Sequence, residues 1–198
     1  MTSLDNVLAW GRSTLVAESD ALKWTAERLG EEFYRAVELL SHLKGKVVVS
    51  GLGKSGHVGR KIAATLASTG TSAFFLHPSE ALHGDLGMLQ SHDALLVIAF
   101  GGETRETLEV ARFANRNRIP VLAITGRLPS SLAQLADIVL DGSVAKEACP
   151  LNLAPTTSTT VAMALGDALA VALMRAKGFQ EQDFAQFHPE GSLGRKLL

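Results

Sequence analysis

Two rhythms of apolar residues alternate along the chain, and each change of rhythm marks an element boundary. From Lys46 onward, short runs of β-branched and aliphatic residues alternate with stretches whose apolar positions recur every three or four residues. The runs predict strands at 46–50, 72–76, 94–100, 121–125 and 138–140. The periodic stretches predict helices at 55–68, 104–117, 130–135 and 156–177, the last stopped by Gly178. Strands this continuously apolar, separated by helices, specify a parallel sheet covered on both faces and linked by right-handed crossovers. The expected fold class is therefore α/β, a three-layer αβα arrangement around a five-stranded parallel sheet, flavodoxin-like and doubly wound. Ahead of it, 4–18 and 21–43 carry apolar residues at helical spacing, with a break at Gly30, and predict helices that pack on the sheet or on another subunit. The tail 179–198 lacks a clear period but holds Phe184, Phe187 and His188, which predicts docking. One domain over 1–198 accommodates all of this, with N-terminal helices over 1–44, a core over 45–178 and a docking tail.

Composition narrows the function classes. With 46% hydrophobic residues, 198 residues can bury a full core. A formal net charge of −1 and the absence of any Lys/Arg run argue against nucleic acid as a partner. The most apolar stretch, 159–174, carries Asp167 and many alanines and reads as a buried helix, so no membrane partner is expected. Cys149 stands alone, and the opening MTSLDNVLAW lacks the basic start and apolar core of a secretory signal; the expectation is a cytoplasmic protein.

Several segments carry candidate chemistry. Val47 to Gly56 reads as a strand running into a glycine-rich turn that opens a helix, a natural anion site whose Lys54 and Ser55 add a charge and a hydroxyl. Gly51-x-Gly53-x-x-Gly56 fits a dinucleotide fingerprint, but that reading requires an acid about 20 residues on, where Leu76-His77-Pro78 stands. A phosphate of a small substrate is the better fit, held by Lys54, Ser55 and Gly56. A second turn, Gly101 to Glu106, offers the N–H groups of Gly102 and Thr104. Glu103 reads as a capping residue there, while Glu106 is open between capping and chemistry. Thr156 to Thr160 place hydroxyls at a helix start, Thr157 and Ser158 among them, which suits phosphate oxygens or simple capping. Cys149 reads as a packing residue, with no activating partner nearby in sequence.

Six blocks together, Gly51 to Lys61, His77 to Met88, Val144 to Pro150, Leu153 to Thr160, Gly166 to Val171 and His188 to Leu198, resemble the D-arabinose-5-phosphate isomerases of the SIS (sugar isomerase) fold. The resemblance covers the chain from about Lys46 onward. It implies interconversion of D-arabinose 5-phosphate and D-ribulose 5-phosphate, in the service of lipopolysaccharide or capsule synthesis, with no required metal or organic cofactor. It maps catalytic residues onto Lys54, Glu106, Glu147 and His188. It further implies Gly70, Thr71, His77 and His83 as contacts for substrate or, at His77, for an inhibitory zinc. Ala99-Phe100-Gly101 departs from the family's Ser-x-Ser and removes two hydroxyl donors. Many relatives continue into a pair of CBS domains, which have no counterpart in these 198 residues.

Aldose–ketose isomerisation through an enediol needs a base and a group that polarises the carbonyl. Glu147 and Glu106 compete for the role of base. A polar loop among apolar neighbours would raise the pKa of Glu147, whereas a helix N-terminus would lower that of Glu106, so Glu147 is favoured. His188 or His83 could open a furanose ring. The alternatives are an SIS isomerase for a hexulose or heptose phosphate, and a sugar-phosphate-binding regulator without turnover. The surplus apolar face on the N-terminal helices and on 161–173, together with the habit of the family the chain resembles, predicts a homo-oligomer, expected to be a tetramer.

Overall fold

The computed structural model describes residues 2–187. Five parallel strands lie in the order β2-β1-β3-β4-β5: β1 (Val47–Gly51), β2 (Ala73–Leu76), β3 (Ala94–Ile98), β4 (Val121–Thr125) and β5 (Ile138–Asp141). Every residue of β1, β3 and β4 is buried, which is why those segments read as unbroken apolar runs. The chain reverses winding direction between β1 and β3, so the carboxyl ends of these two strands open the crevice in which doubly wound sheets bind ligands.

Alternate strand residues face opposite layers. Val47, Val49, Leu96, Ile98, Leu122 and Ile124 pack under α2 (Glu31–Ser41), α3 (Lys54–Ser68) and the long α7 (Thr157–Ala176). Val48, Leu95, Val97, Val121 and Ala123 face the other layer, formed by α4 (Pro78–Ala81), α5 (Arg105–Arg116) and α6 (Ser131–Leu135). By length and composition α7 would suffice to cross a membrane, contrary to the sequence expectation. Its place in the fold explains the apolar content instead: Val161, Leu165, Leu169 and Leu173 are buried between the sheet, α3 and the N-terminal helices.

The expected break near residue 19 is absent. Ser19 and Asp20 are residue types that start helices, but α1 runs unbroken from Leu4 to Glu27 because Ala21 and Leu22 pack into the α2–α3–α7 layer. Only Gly30 interrupts, as the N-cap of α2. Three short elements escaped the sequence pattern: α4, a 3₁₀ turn at Asp85–Met88, and α8 (Glu181–Phe187). At the amino-terminal edge of the sheet, the carboxylate of Asp93, fully buried, accepts hydrogen bonds from the N–H groups of Lys46 (2.8 Å) and Gln90 (2.9 Å) and from Lys46 Nζ (3.2 Å). Burial alone would raise its pKa, and these bonds outweigh burial and hold it below the usual carboxylate value.

Candidate active site

The turn between β1 and α3 is built for close approach. Gly53 has φ +59°, a conformation a side chain would strain, and it directs the first N–H groups of α3 toward the crevice. Of the first-turn donors, those of Gly56 and His57 bond back to the Leu52 and Gly53 carbonyls, and those of Lys54 and Ser55 precede the first intrahelical bond. Lys54 and Ser55 open the helix and line a cavity of about 220 Å³ with Phe100, Thr125, Gly126 and Ser158 among its walls. Gly56 does not belong with them. Its N–H bonds to the Leu52 carbonyl at 3.4 Å, and a Cβ there would lie 2.6 Å from the Gly51 oxygen, so it serves the packing of α3 on β1.

Glu147 does not line this cavity but is bonded to its wall residue Ser158 and lines the cavity next to it. Its carboxylate accepts from the N–H of Thr156 (2.9 Å), the N–H of Ser158 (3.1 Å) and the hydroxyls of Thr156 and Ser158. It thereby caps α7. Burial pushes its pKa up, but the bonds from Ser158 and Thr156 outweigh burial and hold it below the ordinary value. This reverses the direction on which Glu147 was favoured as base. The predicted phosphate role of Thr157 and Ser158 changes too: Thr157 is buried and its hydroxyl accepts from the Ala148 N–H at 3.0 Å, while the Ser158 hydroxyl faces both the cavity and Glu147.

The second turn is held shut from behind. Gly102 (φ +68°) donates its N–H to the Ala99 carbonyl, and its own carbonyl accepts from the Leu132 N–H. Thr104 is the N-cap of α5 without a side-chain bond to it, and Glu106 follows in the first turn, half-buried; neither lines the cavity. Glu103 is a capping residue as expected, but for a different helix: it accepts from the N–H (2.8 Å) and hydroxyl (2.6 Å) of Ser131 at the start of α6. Those bonds hold its pKa down.

Four further candidates fall apart from this cavity within the chain. Gly70 and Thr71 precede β2 and so lie at the amino-terminal edge of the sheet, opposite the crevice. A Cβ at Gly70 would meet the Phe179 ring at 2.4 Å, and the buried Thr71 hydroxyl accepts from Lys177 Nζ at 2.9 Å. Both are packing positions in this protomer. His77 caps α4 and His83 follows it, exposed, at the carboxyl edge beyond β2. His77 Nδ1 is buried without a partner, yet among the described residues no three His, Cys, Asp or Glu side chains gather to hold a metal. His77 is therefore no part of a zinc centre formed by these residues alone. His188 lies outside the described residues.

What sequence reasoning missed was the pairing of Phe100 with Gly126, whose local signals were a bulky residue where the resemblance expects a spacer and a glycine directly after β4. It also missed the neighbourhood of Cys149. Backbone hydrogen bonding from Leu153, Ala154 and Leu151 holds the thiol pKa below its ordinary value.

The SIS domain model matches residues 39–172, which takes in the β1–α3 turn, the second turn, Glu147 and the start of α7. The chain belongs to the SIS-domain family. It is 53% identical over 195 residues to the arabinose 5-phosphate isomerase GutQ of Salmonella typhimurium, covering 98% of this chain and 60% of that protein. It is 54% identical over 185 residues to the arabinose 5-phosphate isomerase KdsD of Pseudomonas aeruginosa, covering 93% and 57%. This SIS domain thus spans about three fifths of the length of such relatives. Among solved structures, Escherichia coli CFT073 c3406 in complex with arabinose 5-phosphate superposes with a TM-score of 0.91 at 37% identity, covering 95% of this chain and all of that one.

Proposed function

We propose that this chain is an aldose–ketose isomerase that interconverts D-arabinose 5-phosphate and D-ribulose 5-phosphate through an enediol. The observation that carries the reading is one crevice at the β1/β3 winding reversal where Lys54 and Ser55, at a helix start suited to phosphate, face Ser158, whose hydroxyl is bonded to Glu147. The names of GutQ and KdsD, and the arabinose 5-phosphate held by c3406, support it.

In the forward direction a base removes the C2 proton of the open-chain aldose and negative charge develops on O1, O1 is protonated as the O2 hydroxyl gives up its proton, and return of the proton to C1 leaves the carbonyl at C2. Glu147 is the carboxylate in hydrogen-bond contact with a cavity-lining side chain, and we assign it the proton transfer. Its bonds to Ser158 and Thr156 keep it a weak base in the unliganded protein; a substrate oxygen that takes over the Ser158 hydroxyl strengthens it. Lys54 supplies the positive charge that stabilises the developing oxyanion. Side chains provide both functions, so the reading calls for no metal or organic cofactor. The protein works in the cytoplasm, away from membranes and nucleic acid, as a homo-oligomer, expected to be a tetramer. Leu4, Trp10, Leu15 and Val16 of α1 stand more than half exposed and supply the surface for that assembly. Light scattering at micromolar protomer tests it, and a monomer mass would refute it.

NMR of the protein with arabinose 5-phosphate in deuterated water tests the activity. Ribulose 5-phosphate carrying solvent deuterium at C1 is expected, and Lys54→Ala should lower kcat by about 10²-fold or more. Binding without any conversion at high protein concentration would instead indicate a sugar-phosphate sensor.

A further inference from the structure

Phe100 occupies a position whose geometry is fixed from two sides. Its carbonyl accepts from the Gly126 N–H (2.9 Å) and the Thr125 hydroxyl (3.2 Å), which clamps the main chain. Its ring lies on the Cα of Gly126, where a Cβ would come within 2.1 Å of the ring edge, so only glycine leaves the seat free. The ring forms part of the wall of the cavity that holds Lys54, Ser55 and Ser158, and equally of the neighbouring cavity lined by Glu147 and Asn152; Gly126 and Pro155 are also shared by both. The two cavities adjoin at Phe100, Gly126 and Pro155, so a molecule anchored at the start of α3 and extending into the cavity lined by Glu147 passes beside Phe100. The ring offers carbon–hydrogen contact to a sugar backbone and no hydrogen bond to its hydroxyls.

We infer that Phe100, seated on Gly126, is a specificity-determining residue that sets the carbon-chain length of the sugar phosphate able to span the site. The inference rests on the sugar-phosphate isomerase reading. With the phosphate held at α3 and the reacting carbons at Glu147, an added hydroxymethine must fit between them against a ring that is clamped in place. A five-carbon sugar phosphate is the shorter tenant and is favoured. Shortening the side chain merges the two cavities into one trough and relieves the longer substrate selectively. Pockets of this kind discriminate by about 10- to 200-fold for one carbon.

The test compares kcat/KM for ribulose 5-phosphate and fructose 6-phosphate in the wild type, Phe100→Ala and Phe100→Leu. The five-over-six preference should fall by about tenfold or more in Phe100→Ala, chiefly through a gain on the six-carbon substrate, and by a smaller factor in Phe100→Leu. Phe100→Leu keeps most of the apolar volume and carries the test if the alanine variant does not fold. Gly101→Ser, where a side chain meets nothing within 4 Å, restores a hydroxyl without touching the ring and should change both substrates alike. A preference unchanged within twofold in folded, active Phe100 variants overturns the inference. A wild type that converts neither substrate overturns the isomerase reading instead.

Discussion

Replacing Glu147 with glutamine should unfasten the first turn of α7, and the cost follows from the bonds on its carboxylate. Two main-chain N–H groups and two hydroxyls converge on it. Bonds to a charged acceptor contribute about 1.5–3 kcal/mol where a neutral one contributes about 1, and charge at a helix N-terminus adds about 0.3–1 kcal/mol. Glutamine keeps one accepting oxygen and turns an NH₂ toward the remaining donors. Because the site is half-buried, water recovers part of the loss, leaving about 2 kcal/mol at pH 7. For a chain of this size that is about 4–8 °C in Tm, measured calorimetrically at one fixed protomer concentration, which holds any assembly-linked contribution constant. The pH dependence has a definite sign. Glu147 is held below its unfolded value near 4.5, so its contribution is complete above that pH and is lost as the pH falls through the folded value. The gap between wild type and Glu147→Gln should be widest at neutral pH and narrow in acid. A variant melting within about 1 °C of wild type at pH 7, or a gap that widens in acid, would refute the capping role.

Asp93→Asn should cost about 3 kcal/mol, since it removes the charge from a buried acceptor of three bonds at the amino-terminal edge, while kcat well below the melting temperature stays unchanged; denaturant titration and steady-state rates check both halves. Gly70→Ala should destabilise by about 1–3 kcal/mol through its φ of +87° and its clash with Phe179, with KM unaltered; a raised KM at full stability would return Gly70 to the substrate site. The rate of Cys149 alkylation should rise with pH through a midpoint below the ordinary thiol value of 9.0, because backbone hydrogen bonding from Leu153, Ala154 and Leu151 favours the thiolate; a midpoint at or above 9.0 would contradict it.

Local chemistry alone determined the α/β sheet and the glycine-rich β1–α3 turn. Residues of β1, β3 and β4 are buried on both faces, so their apolar runs carry the strand signal without help from neighbours. Gly53, Lys54 and Ser55 are consecutive, and their turn is formed by their own φ, ψ values and the helix they start. Other features depended on which distant segments meet. The continuity of α1 past Ser19 was decided by packing of Ala21 and Leu22 in the α7 layer. Gly70 and Thr71 were set apart from Lys54 because a parallel crossover puts the residues before β2 at the opposite edge from those after β1. The pKa of Glu147 turned on the same kind of fact. From the loop's composition only desolvation is visible, whereas the donors that outweigh it belong to Thr156 and Ser158, brought to its carboxylate when the loop folds back onto the start of α7. Phe100 and Gly126 lie 26 positions apart in sequence and touch only because β3 and β4 are hydrogen-bonded neighbours, so their shared wall belongs to the tertiary structure.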